Sequence, residues 1–255
     1  MTQPTYDPSE YPGASYVTIT VEDNSSIYDT LNDWNLVLTH VSIDDASARR
    51  FEVTVPGRDG TLDLSSALGG IYYENREIKF SFICLNYETA RFHLLSSTIR
   101  NAIDGKLCRF VLSDDSSYFW RGRPQVTAVW PEIEHTSIEI TLDAEPYKYS
   151  VSSSYDPWIW NTFSFVNGVI VQEADIVLNN ETVEHVLPAD RARSKPTIWL
   201  NRGNAQVKLS TMSTWLTLKA GANVFPEIRM DAQNAQTIQL KGTGTVGLDY
   251  RLGSL

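Results

Sequence analysis

The sequence predicts a mainly β protein of two domains: an N-terminal β-sheet or barrel-like domain with one packed α-helix over residues 1–149, and a C-terminal β-sandwich or jelly roll over residues 150–255. Three observations carry this prediction. Apolar and polar residues alternate with period two in segment after segment, as in Ile78, Phe80 and Phe82 against Glu77, Lys79 and Ser81, the pattern of strands with one buried face. A single segment has helical spacing. Composition turns small and polar at SVSSSYDP (Ser150 to Pro157), the mark of a linker between packed units. A chain of 255 residues is long enough for two cores, since domains typically hold about 100 to 150 residues.

Residues 1–15 hold three prolines and few apolar side chains and read as an extended arm. Strand pattern follows at Val17, Ile19 and Val21, then from Trp34 to Ile43, then from Phe51 to Val55. The helix is predicted from about Tyr87 to Ile103, with Asn86 as N-cap and Gly105 just past its end. Its apolar face is Phe92, Leu95, Ile99 and Ile103, a stripe suited to packing on a sheet. Strands resume at Leu107 to Leu112, Tyr118 to Arg123, Val126 to Trp130 and Ile138 to Leu142, before AEPYKY (Ala144 to Tyr149). Beyond the linker, Asn167-Gly168 between apolar runs signals a hairpin. Short strand patterns at Thr197 to Leu200, Val207 to Leu209, Trp215 to Leu218, Ile228 to Met230, Ile238 to Leu240 and Val246 to Tyr250 then recur about every ten residues, as in a sandwich.

Between the third strand pattern and Ile78 lies VPGRDGTLDLS (Val55 to Ser65). Pro56 presets one backbone angle, Gly57 and Gly60 permit positive φ, and Asp59-Gly60 reverses a chain between strands. This is a fixed turn joined to an alternating strand, with no catalytic look to it.

A formal net charge of −10 argues against binding nucleic acid through phosphate neutralisation, which needs a concentrated Lys/Arg surface. The N-terminus has no basic start and no apolar run, so no signal peptide is expected, and no segment approaches the roughly 20 apolar residues of a membrane span. Cys84 and Cys108 sit in apolar strand patterns and read as buried free thiols ahead of a disulfide between neighbouring strands.

No catalytic, metal or cofactor site emerges. GTGTVG (Gly242 to Gly247) has the letters of a dinucleotide fingerprint but leads into a strand, so it lacks the helix N-terminus that would hold a pyrophosphate, and a hairpin turn accounts for its glycines. His40, His93, His135 and His185 are dispersed, without metal-ligand spacing. Asp44-Asp45, Asp114-Asp115, Glu132 and Glu134 read as solvated loop carboxylates. Trp199 and Trp215 fall in strand patterns and are expected to fill the space between sheets; Trp158 and Trp160 precede them.

The PGRDG turn, the DLS that follows, the aromatic-flanked Asn75-Arg76, the helix, the AEPYKY exit and the terminal GLDYRLGSL (Gly247 to Leu255) together resemble the distal tail proteins (Dit) of long-tailed siphophages. The resemblance implies a galectin-like β-sandwich for the second domain. It also implies a virion structural protein at the distal end of the tail, made in the host bacterial cytoplasm, without enzyme activity or cofactor. Copies would form a homo-hexameric ring through the N-terminal domain, between the tail tube protein and the tail-tip or tail-associated protein of the baseplate, with a receptor-binding protein as a further candidate partner. DNA would cross the central channel without specific binding, and no membrane insertion is implied. Pro56, Gly57, Arg58, Asp59, Gly60 and Arg76 are the candidate ring interface, because a rigid turn with an Arg-Asp pair offers a directional contact; the same turn could equally serve only the domain's own fold. The alternative function is a carbohydrate-binding module protein that attaches to a cell-wall glycan through the C-terminal sandwich.

Overall fold

The computed structural model describes residues 13–65, 67, 70–84, 89–129, 137–155 and 175–255. The chain divides into two compact units, Met1–Lys148 with Leu255, and Tyr149–Ser254.

The first unit contains β1 (Val17–Val21), β2 (Ile27–Asp29), β3 (Leu36–Ile43), β4 (Glu52–Thr54), β5 (Thr61–Asp63), β6 (Arg76–Cys84), α1 (Thr89–Ile103), β7 (Cys108–Leu112), β8 (Tyr118–Val129) and β9 (Ser137–Ser150). Its main sheet runs β2-β1-β7-β8-β9-β6-β3. The alternation seen in the sequence becomes one buried face: Val17, Ile19, Val21, Ile78, Phe80, Phe82, Ile138, Ile140 and Leu142 are all fully buried in a single cluster. Phe80 and Phe110 stack there with ring centres 5.2 Å apart, an offset aromatic contact that adds to the burial itself. Helix α1 covers this cluster with Phe92, Ile99 and Ile103, with Leu95 half-buried at its margin, the stripe the spacing predicted. The expected N-cap, Asn86, lies outside the described residues. At the other end Gly105 takes φ 68° and the Lys106 ammonium donates to the carbonyls of Asn101 and Ala102, which satisfies the last turn.

Two strand expectations are corrected here. Tyr118 to Val129 is one strand, not two, although Pro124 sits within it. The β7 register ends at Gly122, so the proline falls where no β7 partner needs its missing N–H. AEPYKY likewise continues β9 and does not follow it. The terminal part of the Val126 to Trp130 pattern, at Trp130, lies outside the described residues.

The second unit contains β10 (Ile176–Leu187), β11 (Thr197–Leu209), β12 (Leu216–Thr217), β13 (Gly221–Asn223), β14 (Gln236–Asp249) and the short β15 (Gly253–Ser254). Its sheet runs β10-β14-β11-β12, with β13 on the far end of β11. Four expected short strands are thus two long ones, and GTGTVG is the middle of β14, not a hairpin turn. Bulges at Asn179/Thr182 and Leu200/Arg202 flank these glycines on either side. Gly203, Gly242 and Gly244 have φ of 89°, 144° and 122°, and a Cβ on Gly244 would stand 1.8 Å from the Arg202 carbonyl oxygen. Glycine is needed because the backbones meet in a bent sheet. Ile238, Leu240, Val246 and Leu248, on both sides of the bend, share one core cluster with Ile198, Val207, Ile228 and Met230.

Two buried polar side chains hold the loops of this unit. Asp190 accepts from the backbone N–H groups of Ala192, Ser194 and Gly253. Asn223 donates to the carbonyls of Ile198, Lys219 and Gly221 and accepts from the Lys219 N–H. Both are satisfied, as burial requires. The Asn167-Gly168 hairpin, Trp158, Trp160, Glu132, Glu134 and His135 lie outside the described residues.

Candidate functional site

β3 and β6 are the two legs of one long hairpin. Their register pairs Ile43 with Ile78, the Asp44 N–H then donates to the Glu77 carbonyl, and Ala48 bridges Tyr73. An Arg49–Glu74 ion pair at 2.8 Å continues the same ladder outward. Past this stalk the chain becomes a separate two-stranded ribbon, β4 against β5, with Val53 opposite Leu62. The PGRDG turn is the tip of that finger.

Every residue from Ser47 to Thr61 is exposed. Phe51, Val53 and Val55 retain 41%, 46% and 38% of their surface in water, and Ile71, at the base, 55%. The finger holds its shape by local bonds. The Arg58 N–H donates to the Val55 carbonyl at 3.2 Å, and the Leu64 N–H to the Phe51 carbonyl at 2.7 Å. The Phe51 N–H donates to the Ser65 hydroxyl and the Ser65 N–H to the Asp63 carboxylate; the Ser65 hydroxyl, then its N–H, lowers the Asp63 pKa. Gly57 and Gly60 take φ of 83° and 74° with nothing near an added Cβ, so turn conformation alone demands glycine there. Arg58 and Asp59 form no ion pair among the described residues.

Arg76 does not share this exposed surface. Only 8% exposed, it lies over the Trp120 ring at 5.0 Å and donates to the Pro146 carbonyl at 2.6 Å, while its Nε has no partner. Desolvation lowers its pKa, opposed by the charge of Asp45. It anchors the root of the finger within its own unit.

A charge network between Glu22, just past β1, and residues of β7, β8 and β9 had no sequence signal. Arg109 and Arg121 face each other across β7 and β8, and the Glu22 carboxylate accepts from both at 2.8 Å. Arg121 also pairs with Glu145. Chiefly through the Arg121 hydrogen bond, the Glu22 pKa is held down to about 2. The residues stand too far apart in sequence for spacing to suggest the cluster.

The remaining candidates resolve as structure. Cys84 and Cys108 are free thiols; burial raises both, and Cys108 is pushed up to about 11. No group of three metal-ligating side chains occurs among the described residues. Trp199 and Trp215 are half-buried outside the core cluster, contrary to expectation: Trp199 stacks on Tyr155 at 5.8 Å and Trp215 lies under Lys208. Trp199 follows the strand alternation, but on the opposite face from Ile198 and Leu200.

No protein-family model and no curated protein matches the sequence. The crystal structure of SPP1 Dit (gp 19.1), described as a paradigm of hub adsorption apparatus in phages infecting Gram-positive hosts, aligns over 94% of this chain and 99% of its own, with TM-score 0.56 and 14% identity. The chain has the Dit fold. The anti-feeding prophage baseplate, solved by cryo-EM, aligns over 57% of this chain and 94% of its own at TM-score 0.30 and 9% identity, which carries no argument. The alignment to SPP1 Dit extends across both units of the chain.

Proposed function

We propose that this chain is a structural hub protein at the distal end of a phage tail. The observation that carries the reading is the near end-to-end match to SPP1 Dit, which leaves almost nothing of either chain unaligned. In this reading copies join into a closed hexameric ring between the tail tube and the tail tip, and DNA passes through its centre. Rotational closure turns one pair of complementary patches into a ring without free ends. The finger supplies one patch: the Pro56 to Gly60 turn is exposed and carries both charge signs, and Phe51, Val53 and Val55 beside it leave apolar surface in water. Arg76 contributes by fixing the finger's root, not by touching a neighbour. The net charge of −10 per chain suits a channel that DNA must cross without adhering. Units 1–149 and 150–255 would then divide the work, the first forming the ring and the second, a galectin-like sandwich, standing at its periphery.

Imaging tests the location. A gold label on the chain's terminus in intact virions is expected at the far end of the tail tube. Label along the tube, on the capsid or absent from particles refutes the proposal.

A further inference from the structure

Arg76 is a cation taken out of water with no carboxylate in contact. It is 8% exposed, its guanidinium carbon lies 5.0 Å from the centre of the Trp120 ring, and one N–H donates to the Pro146 carbonyl, while Nε donates to nothing. A guanidinium buried in this way needs a counter-charge to stay in place. Most carboxylates around the root of the finger are engaged elsewhere. Glu74 pairs with Arg49 and Glu77 with Lys79, each at 2.8 Å, and Glu145 pairs with Arg121. Asp143 accepts from the Asn75 amide at 3.0 Å, and Asp44 adds its field to Lys79. Asp45 is left, exposed and in no ion pair among the described residues.

The pairing on either side sets its place on the stalk. Four residues stand on each leg between the Ile43–Ile78 pair and the Ala48–Tyr73 bridge, so Asp45 comes level with Arg76 across the hairpin. Residues level across an antiparallel pair are near enough for opposite charges to attract. Desolvation works against the charged form of Arg76, and the Asp45 charge works for it.

We propose that Asp45 is a positioning residue: its carboxylate is the counter-charge that keeps the Arg76 guanidinium against Trp120 and Pro146, and through Arg76 it ties the stalk to β8 and β9, so that the finger leaves the sheet at one fixed place. Asp45 then has a task beyond solvation, which the Asp44-Asp45 dipeptide does not signal in the sequence. The device belongs to the single chain and holds whether or not copies close into a ring.

Two signals on the full chain test this by NMR. One is exchange of the Arg49 and Glu74 amides, both bonded across the stalk; the other is exchange of the Arg76 Nε–H, which reports on the guanidinium itself. Asp45→Asn keeps the shape of the side chain and removes its charge, and is expected to speed both about fivefold while the amides of β1 and β7 keep their rates. In the Arg76→Met chain, where the buried charge is gone, Asp45→Asn is expected to change the two amide rates by less than about 1.5-fold. Unchanged exchange at the Arg76 Nε–H in Asp45→Asn overturns the proposal, and does so even if Arg76→Met fails to fold. Equal acceleration of the stalk amides with and without Arg76 overturns it as well, because Asp45 would then act on the stalk by another route.

Discussion

Arg109 and Arg121 stand opposite one another across two strands, an arrangement that repels unless a carboxylate lies between them. Glu22 is that carboxylate, and its pKa of about 2 against an ordinary 4.5 is the thermodynamic image of the contact. A carboxyl whose folded pKa is depressed adds stability at pH above its unfolded value, and that stability is lost as pH falls through the folded one. Glu22→Gln is therefore expected to cost about 1 kcal/mol at neutral pH, the low end for an ion pair that water partly reaches. The difference between the two proteins should shrink as pH drops from about 4.5 toward 2, followed by chemical denaturation at each pH. A constant difference across that range would exclude Glu22 as the titrating group. Nothing in the sequence announces this cluster, because charged residues scattered at 22, 109, 121 and 145 come together only through the strand order β1-β7-β8-β9.

At the level of the element, the helix and the alternating strands of the first unit were legible because each carries its own period: Phe92, Ile99 and Ile103 on a helical stripe, Ile78, Phe80 and Phe82 on a strand face. The long strands of the second unit were not. Glycines in GTGTVG read locally as a turn, yet in β14 they serve close backbone approach inside a continuous strand, a tertiary demand that local propensity does not express. The same reasoning separates β8, where Pro124 reads as a break but sits beyond the β7 register. Gly244→Ala tests the bend. With a backbone oxygen 1.8 Å from the new methyl carbon and φ at 122°, the strand must shift, and a loss of about 3 kcal/mol or more in denaturant unfolding is expected. A loss within about 0.5 kcal/mol would mean that the sheet is not held in this bend.

For the whole molecule, the turn singled out in the sequence proves to be the tip of a finger, and its role depends on what meets it. Pro56 to Gly60 was readable as a turn from its residue types; that it stands on a solvent-exposed ribbon was not, because exposure depends on the register between β3 and β6 far below it. The central claim is closure of copies into a ring, and native mass spectrometry of the purified chain over a series of concentrations tests it most directly. Six copies of 28.7 kDa predict a dominant species of about 172 kDa. A single species of 28.7 kDa at every concentration would contradict the account.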